Sequence, residues 1–495
     1  MTTITKRDSM DANTDALRTR PKVGTPTETV SKKRCLGLVD LPPAIRNNIY
    51  KYALDTELVN VGKPNVSYTH SMSDGILHFK ASRHPFPVLT ALFYVSKQVS
   101  NEALQYFFSK NLFVRFEIYS PDARHGKTML VDSGLLFSTA SPEQLEASKK
   151  HALELVLVEK NSSQKRATVM FPAQYLPRLI NFLDQASRAS GTWAPMHSLF
   201  INVANSYNLS VARLQGDLLE PFRLLTNLGA VTIDSKHLLP RYAEGLQSSM
   251  TSPAFSADAW LQTVTDLADL ADSSRSASNY PLATEYAQSS IIALTHGYLT
   301  HPETLHTQPS SFAQSVQRLR WRIELGLSIA LSLRHQPVTS RKDWLDSSTP
   351  APGPAPATRH AAHDLLLAES AACKALSLAT DSPSPASNPW FLSLPVELIP
   401  PNKPAFFTDR ERAETWYVLG SIHTALGEYI FGCGDFERSL GLWGKEDEGR
   451  EKVEAVFQKA REGIDGDREN MWVGRVRPGS ALKRAARVAR GWEGL

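Results

Sequence analysis

Apolar positions along the chain change period more than once. Near the start, Ile45, Ile49 and Ala53 recur every fourth residue, which places them on one face of a helix over 43–54. Pro42 and Pro43 precede and open it, with φ already near the helical value and no N–H to leave unpaired. Val99, Ala103 and Phe107 repeat the same spacing and predict a second helix over 96–109. Each face is too small to hold a helix alone, so the two are expected to pack together and against a strand over 112–118. In that strand Phe113, Arg115 and Glu117 alternate with Val114, Phe116 and Ile118, the two-residue period of a strand buried on one side.

The strand pattern returns over 153–159, 198–204 and 230–234. Helical faces lie between the later strands, with Tyr175, Leu179, Phe182 and Leu183 on one and Leu218, Phe222 and Leu225 on another. This order predicts a small sheet with helices on one face and parallel pairing of the last three strands. The segment 119–150, with Pro121, Gly126, Gly134 and Pro142, reads as a loop.

From about residue 255 the pattern is helical and rich in alanine. Helices over 257–271 and 281–298 are expected to pair, as are those over 311–335 and 359–379. Pro- and Ser-rich inserts at 336–357 and 380–404 read as exposed loops. Trp416, Leu419, Gly420 and His423 fit the pattern W-x2-L-G-x2-Y with His423 in the Tyr place, which resembles the first helix of a tetratricopeptide repeat. The resemblance implies a facing helix that supplies either Phe457 and Ala460 or, in a shorter register, Phe436 and Leu440.

The N-terminal helices carry a second resemblance. The stretch 38–54 contains Leu41-Pro42-Pro43, then Ile45-Arg46 and Ile49-Tyr50. The stretch 92–118 contains Val95, Lys97, Gln98, Val99, Glu102, Ala103, Leu104, Tyr106 and Phe107, followed by Asn111 and Phe113. Together and in this order they resemble the fungal F-box-like family with its LPxEIRxxIY segment. Ala44 stands where that segment usually has an acid. The resemblance implies a docking helix that binds a Skp-type linker of a cullin–RING ubiquitin ligase through Leu41, Pro42, Ile45, Ile49 and Tyr50. The expected fold class is an α+β N-terminal and middle region, made of F-box-like helices and a small α/β sheet, followed by an all-α region of tetratricopeptide-like hairpins.

Composition sets the remaining bounds. The 495 residues suggest more than one domain: a disordered tail over 1–35, an α/β part over 36–245, helical hairpins over 255–465, and a basic tail or capping helix over 470–495. A net charge of +4 neither demands nor excludes nucleic acid, and no nucleic-acid partner is expected. Lys32-Lys33-Arg34 fits either part of a nuclear-import signal or a solvated basic flank. Three dispersed cysteines indicate a reducing compartment, cytoplasmic or nuclear. No apolar run approaches the ~20 residues of a membrane span, and no phosphate loop, dinucleotide fingerprint, zinc-protease motif or nucleophile elbow occurs. His301 and His306 have no metal-ligand spacing, and Asp266, Asp269 and Asp272 read as a solvated helix face. The sequence therefore predicts no catalytic, cofactor or metal residues and a protein-interaction role: a ligase substrate adaptor, or a scaffold without a ligase link whose F-box-like helices serve only as core.

Overall fold

The computed structural model describes residues 37–204, 209–341, 344–345, 355–382, 388–444, 446–472 and 477–490, with backbone alone at 211–212 and 466–472. The tail expected over 1–35, the basic triplet within it, Arg475 and Trp492 lie outside the described residues. The chain divides into two compact units, Met1–Asn48 and Ile49–Leu495.

In the first unit a short turn over Leu38–Asp40 precedes helix α1, Pro43–Leu54, which runs on into the second unit. Arg46 folds back on the approach to the helix, its Nη1 donating to the Leu41 carbonyl at 2.5 Å and the Val39 carbonyl at 3.3 Å. Ile45 is exposed.

The second unit continues with a hairpin, β1 (Tyr68–Ser73) and β2 (Ile76–Ala81), that period counting missed. Helix α2 (Lys97–Lys110) starts at Ser96, whose hydroxyl accepts the Val99 N–H. Then come β3 (Phe113–Tyr119), α3 (Ala123–Asp132), α4 (Pro142–Ala147), β4 (Leu153–Glu159), β5 (Lys165–Pro172), α5 (Leu176–Ala189), β6 (His197–Val203) and β7 (Ala230–Ile233). The strands form one sheet in the order β5-β3-β4-β6-β7.

Two expectations fail here. The last three expected strands are not all parallel: β4 and β6 pair antiparallel, and only β6 and β7 run parallel. The unforeseen β5 lies antiparallel on β3 and reverses the chain before β6. The segment 119–150 is not a loop, because Asp122 and Ser141 side chains each cap a helix there and Met129, Leu130 and Leu145 are buried. One-sided burial holds for β6, where Leu199, Ile201 and Val203 point inward and Phe200 outward, whereas β5 is buried on both faces.

The helical part follows: α6 (Pro240–Thr251), α7 (Ala257–Ser276), α8 (Tyr280–Thr300), α9 (Ser310–Arg334), α10 (Pro356–Ala379), α11 (Asp409–Leu426), α12 (Tyr429–Leu442), α13 (Glu448–Trp472) and α14 (Ser480–Ala489). It joins the sheet part through a fully buried network. Gln215 donates to the Ser289 carbonyl on α8 and to Glu220, which is paired with Arg223 at 2.9 Å.

The main helices pack as successive hairpins, α7 with α8, α9 with α10 and α11 with α12, and each second helix also packs on the first helix of the next pair. The first two pairs are those expected. Close approach has a local cause in the outer pairs. A Cβ on Gly297 would lie 2.4 Å from the Trp260 indole, and a Cβ on Gly420 would lie 2.8 Å from the Phe436 ring. Gly427, at φ +82°, makes the turn between α11 and α12.

The shorter of the two expected registers is the one adopted. Helix α12 faces α11 and brings Phe436, while Phe457 and Ala460 lie behind it on α13. Trp416, Leu419 and Gly420 do not share one partner. Trp416 and Leu419 enter the main helical core, and Gly420 faces Phe436, because α11 is packed between neighbours on two sides.

Both inserts are partly anchored rather than wholly exposed. Trp344 and Leu345 are buried, and the Trp344 indole donates to the Ala425 carbonyl at 2.9 Å. In the second insert Phe391 and Leu398 are buried, and Lys403 Nζ donates to the Ser377 and Thr380 carbonyls. A few large side chains among prolines thus anchor the described parts of these segments. Helix α14 is neither a loose tail nor a cap over the end of the helical array, because it packs on α10 and α11: Glu428 accepts the N–H groups of Gly479, Ala481 and Leu482, and Ala485 is fully buried. No described helix is long and apolar enough to cross a membrane.

Candidate docking surface

Helix α1 does not bury the face that four-residue spacing suggests. In the second unit its inward residues are Tyr50 and Leu54, both at 0% exposure, while Ile49 is 37% exposed and Tyr52 71%. Tyr50 is drawn inward by a polar anchor as well as by its ring. Its hydroxyl donates to Glu102 on α2 at 3.0 Å, and its ring lies 6.2 Å from that of Tyr106.

Asn111, 1% exposed, explains the geometry just beyond. Its amide donates to the Leu54 carbonyl at the end of α1 and to the Phe107 carbonyl at the end of α2. Its oxygen accepts from the Thr56 N–H and hydroxyl. One buried side chain therefore closes two helix C-termini and fixes α1 beside α2. Val99 and Ala103 of α2 are fully buried as expected, and Phe107 is half-buried.

Of the five residues singled out in the sequence, Tyr50 is in the core, Leu41 is half-buried, and Pro42, Ile45 and Ile49 are exposed. Tyr52, Leu89 and Tyr94, which the sequence did not single out, also expose apolar surface, as does Val95 of the second motif. The Leu89 N–H donates to the Ala53 carbonyl, so this residue sits at the C-terminal end of α1. Their signal was an aromatic and aliphatic composition with no partner in the helical period.

The titratable groups sort differently. Asp266 pairs with Arg241, and Asp269 and Asp272 pair with Arg322 at 2.6 and 2.7 Å, so the acidic row joins helices rather than facing solvent alone. His301 stacks on Phe255, and burial pushes its pKa down to about 4. His423 lies 2.6 Å from Asp435 and near Glu369. Burial alone would lower its pKa, but those two carboxylates outweigh it and raise it to about 9. Burial raises the Cys373 thiol well above its ordinary value, with Glu369 adding to the effect, which makes it a poor nucleophile.

A further group was not foreseen. His335, His360 and Asp364 bring their ligand atoms within 4.8 Å of one another. The three come from opposite ends of an intervening insert, so no short motif announced them. Comparison of the chain with protein-family models, with curated proteins and with solved structures finds no match.

Proposed function

We propose that this chain is a protein-interaction module whose exposed α1 face docks a Skp-type linker of a cullin–RING ubiquitin ligase, in the cytoplasm or nucleus. The observation that carries the reading is the division of labour on one helix: Tyr50 inside, Ile49 and Tyr52 outside. Leu54 turns inward with Tyr50, and Ile49 and Tyr52 leave apolar surface of the same helix open to solvent. The F-box-like resemblance separately assigns a docking role to Leu41, Pro42 and Ile45 of the first unit. The helical hairpins α7–α13, tetratricopeptide-like in their stacking and in the glycine contact at Gly420, hold the substrate protein in this reading.

A second reading is a scaffold or regulatory protein without a ligase link. It is favoured by the polar anchoring of α1 through Tyr50 and Asn111, which makes the helix a wall of the folded unit in its own right. Affinity purification of the full chain with mass spectrometry separates the two. Recovery of a Skp-type linker together with a cullin supports the adaptor. Stable partners that include neither support the scaffold.

A further inference from the structure

The cluster at the joint of α9 and α10 has the composition and convergence of a metal site. His335 is the residue that ends α9, and His360 and Asp364 stand one turn apart on α10. His335 Nε2 lies 2.7 Å from Asp364 Oδ2, and His360 Nε2 lies 3.2 Å from the same oxygen. The two rings meet edge to face with centroids 4.8 Å apart. His335 and Asp364 are buried, and His360 is half-buried, which leaves a way in from solvent.

We propose that His335 Nε2, His360 Nε2 and an Asp364 carboxylate oxygen bind a zinc-class divalent cation. Three lines support it. First, the donor set is two imidazoles and one carboxylate, suited to zinc or cobalt(II) rather than to calcium or magnesium. Second, the donor atoms lie within 4.8 Å of one another, and ligands held about 2.0–2.1 Å from a tetrahedral zinc are about 3.3 Å apart. The 3.2 Å separation of His360 from the carboxylate is already close to that, and the 2.7 Å contact of His335 is a hydrogen bond that an entering ion would replace. Third, an outer group is in place. His363 Nδ1 sits 3.2 Å from the other oxygen, Asp364 Oδ1, and would orient the carboxylate.

Arg334 Nη1 lies 3.5 Å from Asp364 Oδ2 and competes with a cation for it, with its own side chain partly exposed.

The test uses the full chain, freed of metal by a chelator and titrated with zinc by calorimetry and with cobalt(II) by visible absorption. The expected result is one tight site, a tetrahedral cobalt spectrum, and a higher melting temperature with zinc. His360→Ala, at a partly exposed position, should weaken zinc by more than about tenfold while the metal-free protein melts as before. His70→Ala, at an exposed histidine elsewhere, should bind as wild type. His363→Ala should weaken the ion about tenfold without removing the cobalt spectrum. The proposal is overturned if no zinc binds the wild type below about 100 μM, about 5.5 kcal/mol. It is equally overturned if His360→Ala and His70→Ala bind zinc alike.

Discussion

Replacing Gly420 by alanine tests the packing of the third hairpin, because two effects of known size oppose each other there. Gly420 lies within α11, where alanine gains about 1 kcal/mol of helix propensity over glycine. The new Cβ would lie 2.8, 2.9 and 3.1 Å from three atoms of the Phe436 ring. Phe436 has 0% exposure and is hemmed by Tyr417 and Phe457, with ring centroids at 6.1 and 6.4 Å. The ring cannot retreat freely, and overpacking of this kind costs about 1–3 kcal/mol. The net effect is a loss of about 1 kcal/mol for Gly420→Ala and about 3 kcal/mol or more for Gly420→Leu. Gly326→Ala is the control: it lies inside α9, and its Cβ would meet only an Asp272 oxygen at an ordinary 3.6 Å. That variant should gain about 0.5–1 kcal/mol. Urea unfolding followed by tryptophan fluorescence measures all three. Phe436→Leu adds a further check, since Gly420→Ala should be milder on that background. If Gly420→Ala stabilises the protein as Gly326→Ala does, the close contact between α11 and α12 is not as described.

Three other outcomes are expected. Tyr50→Ala should cost about 3–5 kcal/mol, from a fully buried ring and the lost bond to Glu102, and a melt unchanged from wild type would count against the inward placement of Tyr50. His423 has a folded pKa of about 9, above its unfolded value near 6.5, so its pairing with Asp435 stabilises fully below pH 6.5 and is lost as pH rises through 9. The contribution is about 3 kcal/mol at most, and His423→Gln should flatten the pH dependence of unfolding between pH 6.5 and 9; an unaltered slope would remove His423 as its source. Glu428→Ala should leave three N–H groups at the start of α14 without their carboxylate acceptor and open the helix to trypsin at Arg484 and Arg487, whereas protection equal to wild type would show that burial of Ala485 alone holds it.

Local signals in the sequence carried far into this fold, and failed where a partner element was invisible. The four strands read from alternation all exist, and the first two helical pairs are those that alanine spacing suggested. β5 escaped because a strand buried on both faces, Arg166 through Pro172, has no alternation to count. Missing it led directly to the wrong pairing of β4 and β6. The same limit governs the docking helix. Spacing alone picked Ile45, Ile49 and Ala53 as the inner face, but the bond from Tyr50 to Glu102 and the clamp at Asn111 turn the helix the other way. Those partners are about fifty residues distant, beyond the reach of any helical period. The histidine cluster was hidden for the same reason, since His335 meets His360 and Asp364 only after the intervening insert is folded back.

The most direct test of a docking role is to change the exposed side of α1 while leaving its buried side intact. Ile49→Asp puts a charge at a position 37% open to solvent, so it should shift stability by no more than about 0.5–1 kcal/mol. Wild type and this variant, matched for folded fraction by their melts, should be compared for capture of a purified Skp-type linker. The account predicts that the wild type retains the linker and that Ile49→Asp loses most of it with its melting temperature nearly unchanged. Equal capture by the two proteins, or no capture by either, would contradict it.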